Sequence, residues 1–124
     1  MINRRPINLS FTKFKFPVTA ICSIAHRLSG VFLFLSLPFL LYLLQSSLAS
    51  PQRFLLEFRL FQLTSLRFIL WFILIAAAFH SLAGIRHIFL DLGFGESLKA
   101  ARLSAIAIFL LVFLLTLVIG IWVW

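Results

Sequence analysis

FILWFILIAAAFHSLAGIRHIFLD, residues 68–91, decides the fold of this chain. Its first eighteen residues, Phe68–Ile85, contain one ionisable side chain, His80, and otherwise read as hydrocarbon. A helix needs roughly 20 such residues to cross a hydrocarbon core of about 30 Å. Two further runs have the same character, Leu28–Leu44 and Leu103–Trp124. The first is extended on its N-terminal side by PVTAICSIA, residues 17–25. Strands that cross lipid alternate apolar and polar residues over about ten positions. These runs are continuously apolar, and helices satisfy their own backbone hydrogen bonds in lipid. The expected fold is therefore all-α and integral to a membrane, one domain over residues 1–124 with spans at about 18–46, 64–90 and 103–124.

Composition agrees with this class. The chain is 63% hydrophobic and 11% charged, with a mean hydropathy of +1.14, far from the balance of a water-soluble domain. A formal net charge of +8 raises nucleic acid as a partner, but the distribution of that charge speaks against it. The basic residues flank the spans, where positive charge reports topology. Arg4, Arg5, Lys13, Lys15 and Arg27 lie before or at the entrance of span 1; Arg53, Arg59 and Arg67 lie between spans 1 and 2; Arg86, Lys99 and Arg102 follow span 2. The N-terminus and the second connection are accordingly expected in the cytoplasm and the C-terminus outside, with Trp122 and Trp124 in an interfacial aromatic belt. The N-terminus lacks the short apolar core and small-residue cleavage site of a signal peptide. Cys22 is the only cysteine, so no internal disulfide forms.

Between the spans the chain is short of independent structure. NLSFTKFKFP, residues 8–17, suits a short interfacial N-terminal segment at the headgroup level or against a cytosolic partner. Pro17 can open the first helix, whereas Pro38 removes a backbone bond within span 1 and predicts a kink near 34–38. Phe54, Leu55, Phe58 and Phe61 or Gln62 form an apolar stripe that predicts a short amphipathic interfacial helix. GFGES, residues 93–97, is an ordinary turn rather than a phosphate cradle. Three spans leave broad apolar flanks, and small residues (Ser23, Ser29 and Gly30; Ala76–Ala78, Ala83 and Gly84; Ser104, Ala105 and Ala107) permit close helix contact. The chain thus reads as an anchor whose bundle is completed by partner helices and lipid.

Ionisable groups inside a membrane are costly and call for a partner. His80, Gly84 and His87 follow i, i+4, i+7 spacing and share a helical face. If Ile85 marks the end of the hydrocarbon, His80 lies about 8 Å inside it. A neutral imidazole there either hydrogen-bonds a neighbouring helix and does nothing more, or binds haem iron through one nitrogen. Gly84 would then leave room for a flat macrocycle. Ser23, His26, Arg27 and Gly30 show the same spacing in span 1. Arg27 keeps its charge and wants an anion or a dipole, although an arginine at this boundary can also simply mark topology. His26 is expected about two turns shallower than His80, level with Arg86 and His87. On that reckoning a haem held by both histidines of this chain is disfavoured. If haem is bound, His80 would take the iron, another chain would supply the opposite ligand, and the propionates would point towards His26, Arg27 and Arg86.

Taken together, RPINL (5–9), FPVTAICSIAHRLSG (16–30) and HSLAGIRHIFLD (80–91) strongly resemble the cytochrome b556 subunits of bacterial succinate dehydrogenase, one of two anchor chains of complex II. The similarity runs along the whole chain. It implies that His80 is an axial ligand of haem b, shared with a second hydrophobic anchor subunit that gives the other axial histidine. It implies that Ser23 and Arg27 bind ubiquinone, with His26 near the quinone and a haem propionate. Arg86, His87 and Asp91 match the cytoplasmic end of the motif, where relatives contact haem edge groups or the iron–sulfur subunit. The iron–sulfur and flavoprotein subunits would be docked partners, and the bacterial inner membrane the location, with the C-terminus periplasmic. Leu90 and Phe11 depart from the usual residue types without touching a proposed ligand. The sequence carries no flavin motif, cysteine cluster or dicarboxylate site, so succinate oxidation would belong to partners. Three other functions remain open: the anchor of a quinol:fumarate reductase, a purely structural anchor without cofactor, and a small transporter or proton channel lined by His26, His80 and His87. The histidines' confinement to one half of the bilayer disfavours the channel.

Overall fold

The computed structural model describes residues 16–124, and all regular structure among them is helical. The N-terminal interfacial segment expected at 8–17 therefore lies, apart from Phe16 and Pro17, outside the described residues, as does Phe11. Four helices follow one another: α1 (Val18–Ala49), α2 (Pro51–Leu60), α3 (Thr64–Asp91) and α4 (Leu98–Val123). Three of them, α1, α3 and α4, are long and apolar enough to cross a membrane. At 1.5 Å per residue the 32 residues of α1 span about 48 Å, well beyond the hydrocarbon core. The chain is a multi-pass membrane protein.

Local chemistry sets the ends. Pro17 precedes α1 in an extended conformation, and α1 continues as one helix through Pro38. Ser50 caps α2 by accepting from the Arg53 N–H at 3.2 Å, with Pro51 in the first turn, an arrangement that satisfies an otherwise unpaired donor. Ser97 caps α4 in the same way through the Ala100 N–H, 3.2 Å away. The cap starts α4 at Leu98, five residues before the apolar run at Leu103, because a helix begins at its cap rather than at its first lipid-facing residue. The turn before it runs through Gly93 (φ +83°) and Gly95 (φ +77°), left-handed positions that favour glycine.

Helix α3 packs against both α1 and α4. The junction of all three is made by small side chains, Cys22 from α1, Ala83 from α3 and Ala105 from α4, each wholly buried. Small residues let backbones approach closely where lipid gives no hydrophobic drive for association. Phe79 and Ile108 fill the flank of this contact, and Phe79 stacks on Phe109 with ring centroids 5.7 Å apart. The outer surface is oily throughout, with Phe34 73% exposed and Ile121 83% exposed.

Polarity is inverted in α2. Phe54, Leu55 and Phe58 face outward, as an interfacial helix presents them to lipid. Glu57 is buried instead, and its Oε2 has no hydrogen-bond partner. An apolar stripe announces the outward face; the inward carboxylate is not announced by it.

Candidate functional site

Three histidines meet between α1 and α3. The rings of His26 and His80 stack with centroids 4.2 Å apart and planes 13° from parallel. His87 tilts against His26 from the other side at 5.1 Å. The two stacked rings lie at one level, which corrects the expected offset of two turns. The reason is register between antiparallel helices. Because α1 begins at Val18, His26 lies eight residues inside it, and His80 lies eleven residues before the end of α3 at Asp91.

Each ring occupies space left by a glycine on the opposite helix. A Cβ at Gly30 would stand 2.8 Å from His80 Cε1, and a Cβ at Gly84 would stand 3.2 Å from His26 Nε2. The room expected at Gly84 for a macrocycle is thus filled by the His26 imidazole. Gly30 is the glycine that admits His80.

His80 is tied down through one nitrogen. Its Nδ1 lies 3.1 Å from the His26 carbonyl oxygen and 3.1 Å from Ser29 Oγ. A carbonyl only accepts, so this contact is a hydrogen bond when Nδ1 carries the ring proton. A neutral imidazole protonated there presents a lone pair at Nε2, the form in which histidine binds metals. Iron-ligating histidines ordinarily hold their second nitrogen to a carbonyl or carboxylate in this manner. His80 therefore fits a haem ligand on the donor set it shows. Face-to-face rings 4.2 Å apart do not aim two nitrogens at a common metal between them, so His26 and His80 do not form a ligand pair. Among the described residues no three His, Cys, Asp or Glu side chains gather as a metal-holding group.

His26 Nε2 is buried and has no hydrogen-bond partner, so its polar edge is held against Gly84 within the helix interface. Arg27, the next residue, is exposed, and Ser23 one turn earlier is half-buried. The shared face expected for Ser23, His26, Arg27 and Gly30 is therefore split: His26 and Gly30 face the histidine of α3, while Arg27 stands at the surface.

Arg86 turns toward α4. It is 7% exposed, its Nε donates to Ser104 Oγ at 2.9 Å, and a terminal nitrogen donates to the Ala101 carbonyl at 2.9 Å. This side chain fastens α4 to α3, a role its spacing from His80 does not reveal. Arg86, His87 and Arg102 line a half-open cavity of about 720 Å³ beside the start of α1. Asp91 is exposed as the last residue of α3, outside the histidine stack.

Ser29 is the site residue that sequence reasoning missed. It was legible only as a small residue suited to close packing, because its link to His80 crosses 51 positions of sequence and depends on helix register. The signal that could have found it is its i+3 spacing from His26, which brings its hydroxyl back to the His26 carbonyl at 2.8 Å.

Comparison with known proteins agrees in one direction. Residues 1–119 match the family described as succinate dehydrogenase/fumarate reductase transmembrane subunit. A succinate dehydrogenase cytochrome b556 subunit of Coxiella burnetii is 43% identical, with 98% of this chain and 98% of that protein covered. The cytochrome b560 subunit of Reclinomonas americana is 32% identical, covering 92% of this chain and 83% of that one. The cytochrome b556 subunit of Rickettsia felis is 30% identical, over 94% and 91% respectively.

Proposed function

The chain belongs to the succinate dehydrogenase/fumarate reductase transmembrane subunit family, and from that premise we propose that it is the haem b-binding anchor of a bacterial succinate:quinone oxidoreductase. In this reading His80 would hold the haem iron, together with a histidine of a second hydrophobic anchor subunit. The chain holds the flavoprotein and iron–sulfur subunits to the inner membrane. Its N-terminus is cytoplasmic and its C-terminus periplasmic. The names of the relatives favour succinate oxidation over fumarate reduction as the working direction.

The observation that carries the reading is the state of His80. Its Nδ1 lies 3.1 Å from the His26 carbonyl oxygen; with the ring proton there, the lone pair is left on Nε2 for a metal. When bound, haem b supplies a one-electron relay near the quinone. Iron ligation places no net charge on a neutral imidazole in the low-dielectric core, and the ring is oriented before any ligand arrives.

Ubiquinone is the proposed substrate of the neighbouring surface of α1. A quinone carbonyl accepts hydrogen bonds, and the Ser23 hydroxyl and Arg27 guanidinium are donors. The Arg27 guanidinium would also stabilise negative charge that develops on the ring oxygen. His26, behind them in the stack, and His87 and Asp91, toward the end of α3, are the groups through which protons would reach the site and through which propionates would be met. Arg86, fastened to α4, contributes to that end chiefly by fixing the position of α4.

The test is the His80→Leu variant of the assembled complex. It should lose the b-type absorption band while succinate oxidation with a soluble artificial acceptor persists. An unchanged Soret band and midpoint potential would remove His80 from the ligand role.

A further inference from the structure

We propose that Ser29 is a positioning residue for His80, fixing which ring nitrogen bears the proton and the plane in which the ring stands. The inference rests on the haem-ligand reading of His80 and extends it to a residue outside the ligand set.

Three polar atoms meet at one point of the α1–α3 interface: the His26 carbonyl oxygen, Ser29 Oγ and His80 Nδ1. The Ser29 hydroxyl donates to the His26 carbonyl at 2.8 Å. His80 Nδ1 stands 3.1 Å from both oxygens. A serine inside a helix commonly back-bonds to a carbonyl three or four residues earlier, so the first contact alone would say nothing about function. The second and third give it meaning.

Consider the two tautomers of His80. If Nδ1 bore a lone pair, Ser29 could donate to it, but the His26 carbonyl would face that lone pair at 3.1 Å, oxygen against nitrogen without a proton between them. If Nδ1 bears the proton, all three contacts become favourable at once. The N–H is shared between carbonyl and hydroxyl oxygen, while the hydroxyl proton goes to the carbonyl, which has two lone pairs to accept both. The hydroxyl thus holds the carbonyl in place and offers Nδ1–H a second acceptor.

Orientation follows from the same contacts combined with packing. The His26 ring limits tilt of His80 by stacking at 4.2 Å, and Gly30 leaves its Cε1 edge no spare room. Within the ring plane the contacts at Nδ1 add a directional restraint to this packing. Ser29 and the carbonyl approach that atom from two positions on α1, so together they define a direction that either alone would leave loose. Acceptors on the far nitrogen also make the ligating nitrogen more basic. Removing one should weaken donation to the metal and favour its reduced state.

The experiment uses the assembled complex carrying Ser29→Ala or Ser29→Thr, alongside the unsubstituted complex and His80→Leu. Haem content, optical redox titration and the low-spin EPR signal are read for each. Ser29→Ala is expected to shift the haem midpoint to more positive potential and move the EPR g-values, or to weaken haem retention about 10-fold or more. Ser29→Thr, which keeps the hydroxyl, is expected to restore the unsubstituted values. Haem content, potential and EPR signal unchanged in Ser29→Ala would overturn the proposal, as would equal losses in the Ala and Thr variants, the mark of a packing role. If His80→Leu retains the b-type band, the ligand reading itself falls and takes this inference with it. If that variant loses the band while Ser29→Ala matches the unsubstituted complex, only the role of Ser29 is refuted.

Discussion

The two ends of the bundle use their polar residues in opposite ways. At the end opposite the histidines, Trp71 Nε1 donates to the Thr116 carbonyl at 3.3 Å, and the Thr116 hydroxyl returns to the Val112 carbonyl at 2.8 Å. Arg67 donates to the Phe61 carbonyl and to Gln62, and its guanidinium lies over the Trp124 ring, 5.9 Å from the centroid. Every one of these donors has found an acceptor or a π face within the chain. The histidine end leaves capacity over: His80 Nε2 presents a lone pair, His26 Nε2 is buried without a partner, and Arg27 stands exposed. The far end is not fully closed, since Glu57 in α2 buries one carboxyl oxygen, Oε2, without a partner, but the donors named here are satisfied within the chain, as suits an anchor in the interfacial belt. The histidine end differs in gathering its spare groups, two ring nitrogens and an exposed guanidinium, on facing stretches of two helices, where ionisable groups call for a partner.

Substitutions can break this contrast, and their effects should fall in a definite order. Gly30→Ala should act most strongly, since its Cβ would stand 2.8 Å from His80 Cε1 and the histidine ring or α1 itself must move. Loss of the b-type band in the purified complex is the expected readout, with Gly30→Val at least as severe. Next come Arg27→Leu and Ser23→Ala, which should depress quinone reduction while turnover with an artificial acceptor is maintained. A lost hydrogen bond to a charged group costs about 1.5–3 kcal/mol, so Arg27→Leu should cost roughly 10- to 100-fold and Ser23→Ala less. Equal loss of both activities would point to failed assembly instead. Gly84→Ala should be milder than its counterpart, because 3.2 Å to His26 Nε2 asks a side chain to give by tenths of an ångström. A shifted haem spectrum with retained haem would fit. At the bottom of the order, Trp71→Phe removes one long hydrogen bond worth about 0.5–1.5 kcal/mol. Thermal stability should fall slightly, with haem content and quinone turnover unaffected. A Trp71 variant that lost haem would abolish the distinction between the ends.

Legibility in the sequence followed the same division. The spans were readable because apolar runs of this length have few alternatives in folded proteins. Helix ends were less so: Ser97 and Ser50 act as caps, and hydropathy is blind to them. His26, His80 and His87 could be picked out as polar residues in oil, and their helical phase was readable within each span. What spacing along one helix cannot supply is the register between two. Cys22 against Ala83 and Ala105 sets that register, and from it follow the stack of His26 on His80, the pairing of each ring with a glycine, and the bond from Ser29. The inward turn of Glu57 escaped for a related reason. In a bilayer the apolar face of a helix points outward, so the stripe marks the surface and the buried face is inferred only by exclusion.

The exchange of rings and glycines across α1 and α3 also has a consequence for how this sequence can drift. Gly30 is constrained by the ring of His80, and Gly84 by the ring of His26, each from across the interface. A lineage that lost His80 would release position 30, not position 84, and one that lost His26 would release position 84 alone. Substitutions at these four sites should therefore travel in crossed pairs, histidine with the glycine of the opposite helix, rather than with the neighbour four or so residues away on their own.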